Sequence, residues 1–282
     1  MKKVIFVSDM FMRDYVGGAE LTTNALIQKC REKYEVEEVY CQKITEDYVT
    51  KNIEAKFVIC NFSLLSNKIK ILLCKNSDYD IIEYDYKFCK YRSPEKHFII
   101  EGEECNCMNS NEGKISKIFY GYAKKIWFMS ETQMNIFLTN VPTIKKQNCT
   151  VLSSVFSAGD LRFINSIKDN EKNNVYLILD SNSWIKNTKG CVAFANQNGL
   201  EFDLVKNLAY HEMLIKMSTS KGLIFRPSGG DTCPRIVIEA KMLGCDIQIN
   251  NNVQHKNEKW FKNQIDCLEY MSSRADFFMR NL

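Results

Sequence analysis

The chain predicts an α/β protein of two Rossmann-like domains facing each other across a cleft. Three observations carry that reading. Short Ile/Val/Tyr-rich runs alternate with helix-period or polar segments through the first half, as strands and covering helices of a parallel sheet do. The same alternation restarts after the polar stretch INSIKDNEKNN. The 282 residues are enough for two cores, since a domain commonly takes about 100 to 200. The expected boundaries are 1–155 and 156–282, joined through a polar connection near 155 to 172.

MKKVIFVSDMF opens with a basic pair and an apolar run that breaks at Ser8-Asp9. That run is too short for the core of a signal peptide and is expected as the first strand. A glycine-bearing loop, MFMRDYVGGAE, precedes ELTTNALIQKCREKY, where Leu21, Ala25, Leu26 and Cys30 share one helical face. Strands are expected at EEVYC, KFVIC, YDIIEYD and HFIIEG. ISKIFYGYAKKIWFMSETQMNIFLTN reads as helix, strand at KIWFMS and helix ending before Val141-Pro142, and CTVLSS closes the half. The second half runs VYLILD, NSWIKNTKGCVAFANQNG, LEFDLVK, HEMLIKMSTS, GLIFRPS, a helix and CDIQIN, with one or two helices in NEKWFKNQIDCLEYMSSRADFFMRNL.

Composition narrows the function classes. Hydrophobic residues at 45% and charged residues at 26% exclude a disordered chain. The net charge of +4 comes from scattered lysines, without the runs that mark nucleic-acid or membrane tails, although a basic groove formed on folding stays open. No apolar stretch approaches the roughly 18 residues of a membrane span. A reducing cytoplasm and free thiols are therefore expected for the twelve cysteines. They contain no C-x-x-C pair, and Cys105 and Cys107 lack a partner couple, so no metal site is predicted. His97, His211 and His255 show no ligand spacing and are expected as surface or packing residues.

The segment RPSGGDTCPRIVIEAKMLGC, Arg226 to Cys245, is the most informative. GLIF is a strand that Pro227 ends, because proline cannot donate to a central ladder. Ser228, Gly229 and Gly230 then form a loop, with the glycines able to take positive φ and admit a ligand to the backbone. Thr232 or Cys233 is expected to cap a helix with Pro234 in its first turn. The N–H groups at such a start favour an anion such as a diphosphate. Ile236, Val237, Ala240 and Leu243 make the packed face and Gly244 stops the helix. Asp231 is left in the loop and Glu239 inside the helix, where it can accept ribose hydroxyls. The bland alternative is an ordinary capped helix with a solvated Asp231 and an exposed Glu239.

This segment resembles the donor motif of the retaining GT-B glycosyltransferases, E-x7-E, here with Asp231 for the first Glu and Glu239 for the second. The resemblance implies that Asp231 holds the transferred sugar and Glu239 the nucleotide ribose. DYVGGAEL, with Gly17 and Gly18, is similar to the family's glycine loop, which faces the diphosphate from the N-terminal, acceptor-side domain. NSWIKNTKGCVAFA resembles the segment whose basic residue and Lys-Gly neutralise the leaving diphosphate. Lys189-Gly190 matches, and the usual preceding Arg is absent, with Asn182 or Ser183 near its place and Lys186 as a substitute. The resemblance implies metal-independent transfer from a nucleotide sugar, a UDP-sugar foremost, with retention. Lys189, Lys186, Arg235 and the helix start at Thr232 stabilise the leaving group, and Lys189 and Asp231 are the expected catalytic pair. Glu101, Glu103 and Glu104 follow HFIIEG and are acceptor-side candidates, or else a solvated acidic loop. A glycan or lipid-linked acceptor ranks ahead of a modified base in DNA. The other readings are a GT-B-shaped sugar-nucleotide epimerase or hydrolase, and a catalytically degenerate sugar-nucleotide-binding protein.

Overall fold

The structure is a computed structural model that describes residues 2–282. The chain divides into two compact units, one ending at Val155 and including Ala275–Leu282, the other Phe156–Arg274.

In the first unit the order is β1 (Lys3–Ser8), α1 (Gly18–Cys30), β2 (Glu35–Tyr40), α2 (Glu46–Lys51), β3 (Lys56–Ile59), α3 (Asn67–Asn76), β4 (Asp78–Glu83), α4 (Pro94–Glu101), α5 (Asn111–Tyr122), β5 (Lys125–Phe128), α6 (Glu131–Asn140) and β6 (Cys149–Val151). The strands form one parallel sheet ordered β2-β1-β3-β4-β5-β6. Central strands such as KFVI are buried throughout, as a sheet covered on both faces requires. Each fully buried aliphatic or aromatic side chain contributes about 1.5 to 3 kcal/mol relative to exposure.

The second unit continues with α7 (Ala158–Ile167), β7 (Tyr176–Leu179), α8 (Thr188–Gln197), β8 (Phe202–Val205), α9 (Tyr210–Ser218), β9 (Gly222–Phe225), α10 (Arg235–Met242), β10 (Asp246–Ile249) and α11 (Gln264–Arg280). Its parallel sheet is ordered β10-β9-β7-β8. In both sheets the chain leaves the first strand to one side and returns to the other, so each has a switch point, at β1/β3 and at β7/β9. Ligands of open α/β sheets bind outside the carboxyl ends of the strands at that point.

Three expectations are corrected. HFIIEG is not a strand but lies in α4 and its cap, with Phe98, Ile99 and Ile100 exposed. Its flanks explain this: Ser93 caps by accepting from Lys96 N, Pro94 stands at the first turn, and Gly102 ends the helix at φ 75°. The polar connection contains α7, capped by Ser157, which accepts from Asp160 N at 3.0 Å. The last eight residues belong with the first unit. There Phe278 is buried with its ring 4.9 Å from that of Trp127, and Asp276 pairs with Lys29 at 2.8 Å.

Candidate functional site

The carboxyl ends of β7 and β9 carry the two segments singled out by sequence. After β7, a 3-10 turn at Trp184–Lys186 leads to Asn187, at φ 49°, and into α8. Asn187 Nδ2 donates to the Arg226 carbonyl at 2.7 Å, tying this turn to the end of β9. A Cβ on Gly190 would stand 2.4 Å from that Asn187 amide, so the glycine of Lys189-Gly190 makes room for a neighbouring side chain. Lys189 is exposed on the first turn of α8, and Asn182 is exposed before it. Lys186 Nζ lies 3.5 Å from Asp231 Oδ2 and 5.0 Å from the centre of the Phe225 ring.

After β9, Pro227 receives hydrogen bonds on its carbonyl from Asn250 and Asn252 at 3.0 and 2.8 Å. Asp231 forms a parallel bridge with Val253: its N–H donates to Asn252 O at 2.8 Å and its carbonyl accepts from Gln254 N at 3.1 Å. Its backbone is thus fixed while its mostly buried carboxylate faces Lys186. Among the described residues the glycines with positive φ are Gly102, Gly199 and Gly244, so Gly229 and Gly230, on either side of which stand Ser228 and Asp231, do not use the freedom expected of them. The helix α10 also begins later than expected, after Thr232 and Cys233. The N-cap position falls on Pro234, which has no side-chain acceptor, and Pro234 O accepts from Val237 N at 3.0 Å.

Glu239 is not the exposed residue of an ordinary capped helix: it is 4% accessible, and its Oε1 accepts from Arg235 Nε and from the Tyr210 hydroxyl, each at 2.9 Å. Arg235 also donates to Asp160 Oδ2 at 3.1 Å and to Tyr210 at 3.0 Å, and lies 3.7 Å from the centre of the Phe156 ring. Burial raises the Glu239 carboxyl above its ordinary range, with the Arg235 charge pulling the other way. Arg235, expected near the diphosphate, is paired with two carboxylates, those of Asp160 and Glu239. Asp160 and Tyr210 were invisible as site residues because they sit on other helices with no motif around them.

In the first unit, Gly17 is the N-cap of α1 at φ −126° and Gly18 its first residue, so neither needs a positive φ. Glu20 is buried, with its carboxyl raised by burial, and accepts from Asn61 Nδ2 at 3.3 Å. The carboxyl end of β4 holds a denser cluster that sequence reasoning missed. Glu83 pairs with buried Lys87 at 2.8 Å, Lys87 with Asp85 at 3.3 Å, and Arg92 Nε donates to Asp85 at 2.6 Å. Arg92 also reaches Asn61 Oδ1 at 3.2 Å, from a backbone at φ 56°. Glu83 ends β4 and Lys87 lies in the loop after it, so their four-residue spacing, informative on a helix, gave no signal of the pair.

Glu101, by contrast, is at the end of a helix, not a strand, and pairs with Lys90 at 2.8 Å and with the Tyr91 hydroxyl. Glu103 and Glu104 are exposed beyond it. The same region brings together residues that linear spacing kept apart: ligand atoms of Cys89, His97, Cys105 and Cys107 lie within 4.8 Å of one another. Among the described residues all cysteines are free thiols, and no helix is long and apolar enough to cross a membrane.

No family model matches the chain, and no curated protein matches it. Solved structures do. HepE of Anabaena in complex with UDP is matched over 100% of this chain and 98% of its own, with TM-score 0.61 and 12% identity. An alpha-glucosyltransferase in complex with UDP-glucose and DNA containing an abasic site is matched over 99% and 92%, with TM-score 0.55 and 9% identity. WaaG, a glycosyltransferase involved in lipopolysaccharide biosynthesis, is matched over 99% and 92%, with TM-score 0.53 and 10% identity. At such identity the likeness establishes the fold, and this chain has the GT-B fold of two Rossmann-like domains.

Proposed function

We propose that the chain is a glycosyltransferase that moves a sugar from a nucleotide sugar, a UDP-sugar foremost, to a glycan or lipid-linked acceptor. The observation that carries the reading is the Lys186–Asp231 pair at the β7/β9 switch point, on loops cross-tied by Asn187. A loosely paired, partly exposed acid and base can exchange each other for a ligand. In this reading Asp231 accepts sugar hydroxyls, while Lys186 and Lys189 meet the charge that grows on the departing diphosphate. These ammonium groups take the place a divalent ion fills elsewhere, and transfer proceeds with retention. Ser228, Gly229, Gly230 and Thr232 line the diphosphate side, and Glu239 and Arg235 hold the start of α10 rigid beneath the ribose.

Solved neighbours bound to UDP or UDP-glucose support the donor class. A sugar-nucleotide-binding protein without turnover is the second reading, favoured by the absence of an Arg before Lys189-Gly190 and by Asp231 in place of the first Glu. The test is UDP release from UDP-glucose and related donors, with and without saccharide acceptors, for the wild type, Lys189→Ala and Asp231→Asn. Each variant should lose about 10²-fold in transfer, as loss of one charge-stabilising group does, with its unfolding midpoint unchanged. Binding of UDP without turnover of any donor would favour the second reading, and no nucleotide binding would overturn both.

A further inference from the structure

We propose that Cys89, His97, Cys105 and Cys107 form a structural zinc site that closes the long connection between β4 and α5. The inference stands independently of the transferase reading.

The geometry is that of a tetrahedral site before the ion is added. Zinc bonds of about 2.3 Å to sulfur and 2.0–2.1 Å to nitrogen put tetrahedral sulfur and nitrogen ligands about 3.6 Å apart. His97 Nδ1 is 3.7 Å from Cys89 Sγ and 3.6 Å from Cys107 Sγ. All four ligand atoms fall within 4.8 Å of one another, so a small inward turn of the thiols reaches the sulfur–sulfur separation of about 3.8 Å that the same bond lengths give. Three thiolates and one imidazole are a closed zinc set, with no position left for water or substrate.

Three of the four ligands are held by local structure. Cys89 sits in a tight turn, its N–H donating to Tyr86 O and its carbonyl accepting from Arg92 N, both at 2.9 Å. His97 lies one turn into α4, behind the Ser93-Pro94 cap, and is 1% accessible. Cys107 opens a 3-10 turn pressed against α5, where a Cβ on Gly113 would stand 2.3 Å from Cys107 O. The Lys90 N–H donates to Cys107 Sγ at 3.4 Å, the kind of bond that favours a thiolate. Cys89 Sγ also lies 3.4 Å from Ser93 O, a contact that a thiol makes as donor and a thiolate gives up. His97 Nε2 is buried with no partner, so Nδ1 facing the sulfurs carries the whole of this imidazole's bonding. Sulfhydryl contacts alone are weak recompense for burying it.

The site would be structural, since an ion bound by all four ligands ties the Cys89 turn, α4 and the Cys107 turn into one unit. It would pin the segment that also carries Asp85 and Arg92. Linear reasoning missed it because the ligands arrive as two singles and a C-x-C, without the paired C-x-x-C signature.

The test is zinc per chain, by elemental analysis after gel filtration, in protein produced with zinc in the medium. About one equivalent is expected for the wild type, for Cys74→Ser and for Cys149→Ser, and less than a tenth for Cys105→Ser and Cys107→Ser. Because those two variants could misfold, the wild type is also loaded with Co(II) and its native thiols are titrated with and without chelator. Intense visible d–d bands with thiolate charge transfer, and Cys105 and Cys107 that become reactive only after chelation, are expected. Substoichiometric zinc with no such cobalt spectrum would overturn the site, as would zinc retained in both Cys105→Ser and Cys107→Ser.

Discussion

Two acid–base pairs stand on neighbouring elements of the second unit and behave differently. Arg235 and Glu239 are sealed: 2.9 Å apart, with side chains 4% and 6% accessible, and joined by Tyr210 and Asp160. Lys186 and Asp231 are open: 3.5 Å apart, with side chains 31% and 16% accessible. Two carboxylates eight residues apart in one segment thus sit in opposite environments. A sealed ion pair holds the backbone because breaking it strands a buried charge, whereas an open pair contributes little to stability and is free to meet a ligand.

The largest test of that division compares Glu239→Ala with Asp231→Ala in denaturant unfolding. Removing Glu239 leaves Arg235 and the Tyr210 hydroxyl without their main acceptor, and should cost about 3 to 5 kcal/mol. Removing Asp231 should cost under about 1 kcal/mol, since only its side chain, not its bridged backbone, is altered. Equal losses would erase the distinction. UDP affinity separates the roles further: Glu239→Gln should weaken UDP only in step with lost stability, whereas a direct ribose acceptor would lose affinity in a protein of unchanged midpoint.

How much of this was legible in the sequence depends on whether the signal was local. The ten strands of the two sheets, and the places of Lys186, Lys189 and Asp231 just after strands, follow from apolar runs and their punctuation, whereas the strand order and its switch points do not. HFIIEG was misread because three consecutive apolar residues look like a strand, although the Ser93-Pro94 cap and Gly102 were there to be read. Partners that meet only on folding left no trace. Nothing beside Asp160 announces Arg235, which lies 75 residues on. The cysteine–histidine cluster is a larger case of the same blindness, as is the burial that seals Glu239.

The comparison also predicts a pH dependence, because the anchor of the open pair rests on a buried histidine. Asp231 bridges Val253, and His255 two residues on is fully buried, packed against Trp260 and Phe261, with neither ring nitrogen bonded. Burial pushes its pKa down to about 3. The unfolded chain, with an ordinary value near 6.5, takes up a proton that the folded chain refuses. Stability is therefore full above about pH 6.5 and lost as pH falls toward 3, by about 3 kcal/mol at pH 4. His255→Phe should keep or raise stability at pH 7 and flatten this acid limb. A limb of unchanged slope in unfolding midpoints between pH 7 and 4 would mean that His255 is not its source.

The smallest expected effect concerns Gly190, and it separates a ligand-binding glycine from a packing one. By resemblance, Lys189-Gly190 lets a diphosphate approach the start of α8. In the structure the space beside Gly190 is already filled by the Asn187 amide, whose Nδ2 holds the Arg226 carbonyl. Gly190→Ala would push that amide aside and loosen the tie between the β7 and β9 loops, at a cost of about 1 to 3 kcal/mol for an overpacked contact. The open pair should feel this and the sealed pair should not, since Asn187 follows Lys186 directly and Arg235 is held by other elements. Asn187→Ala in the same background makes the argument decisive, because it removes the obstructing amide. If packing is the reason for glycine, Gly190→Ala should cost little more stability and little more donor affinity once Asn187 is already alanine. If close approach of a diphosphate is the reason, the alanine methyl should weaken UDP binding equally in both backgrounds, as calorimetric titration of the four proteins would show.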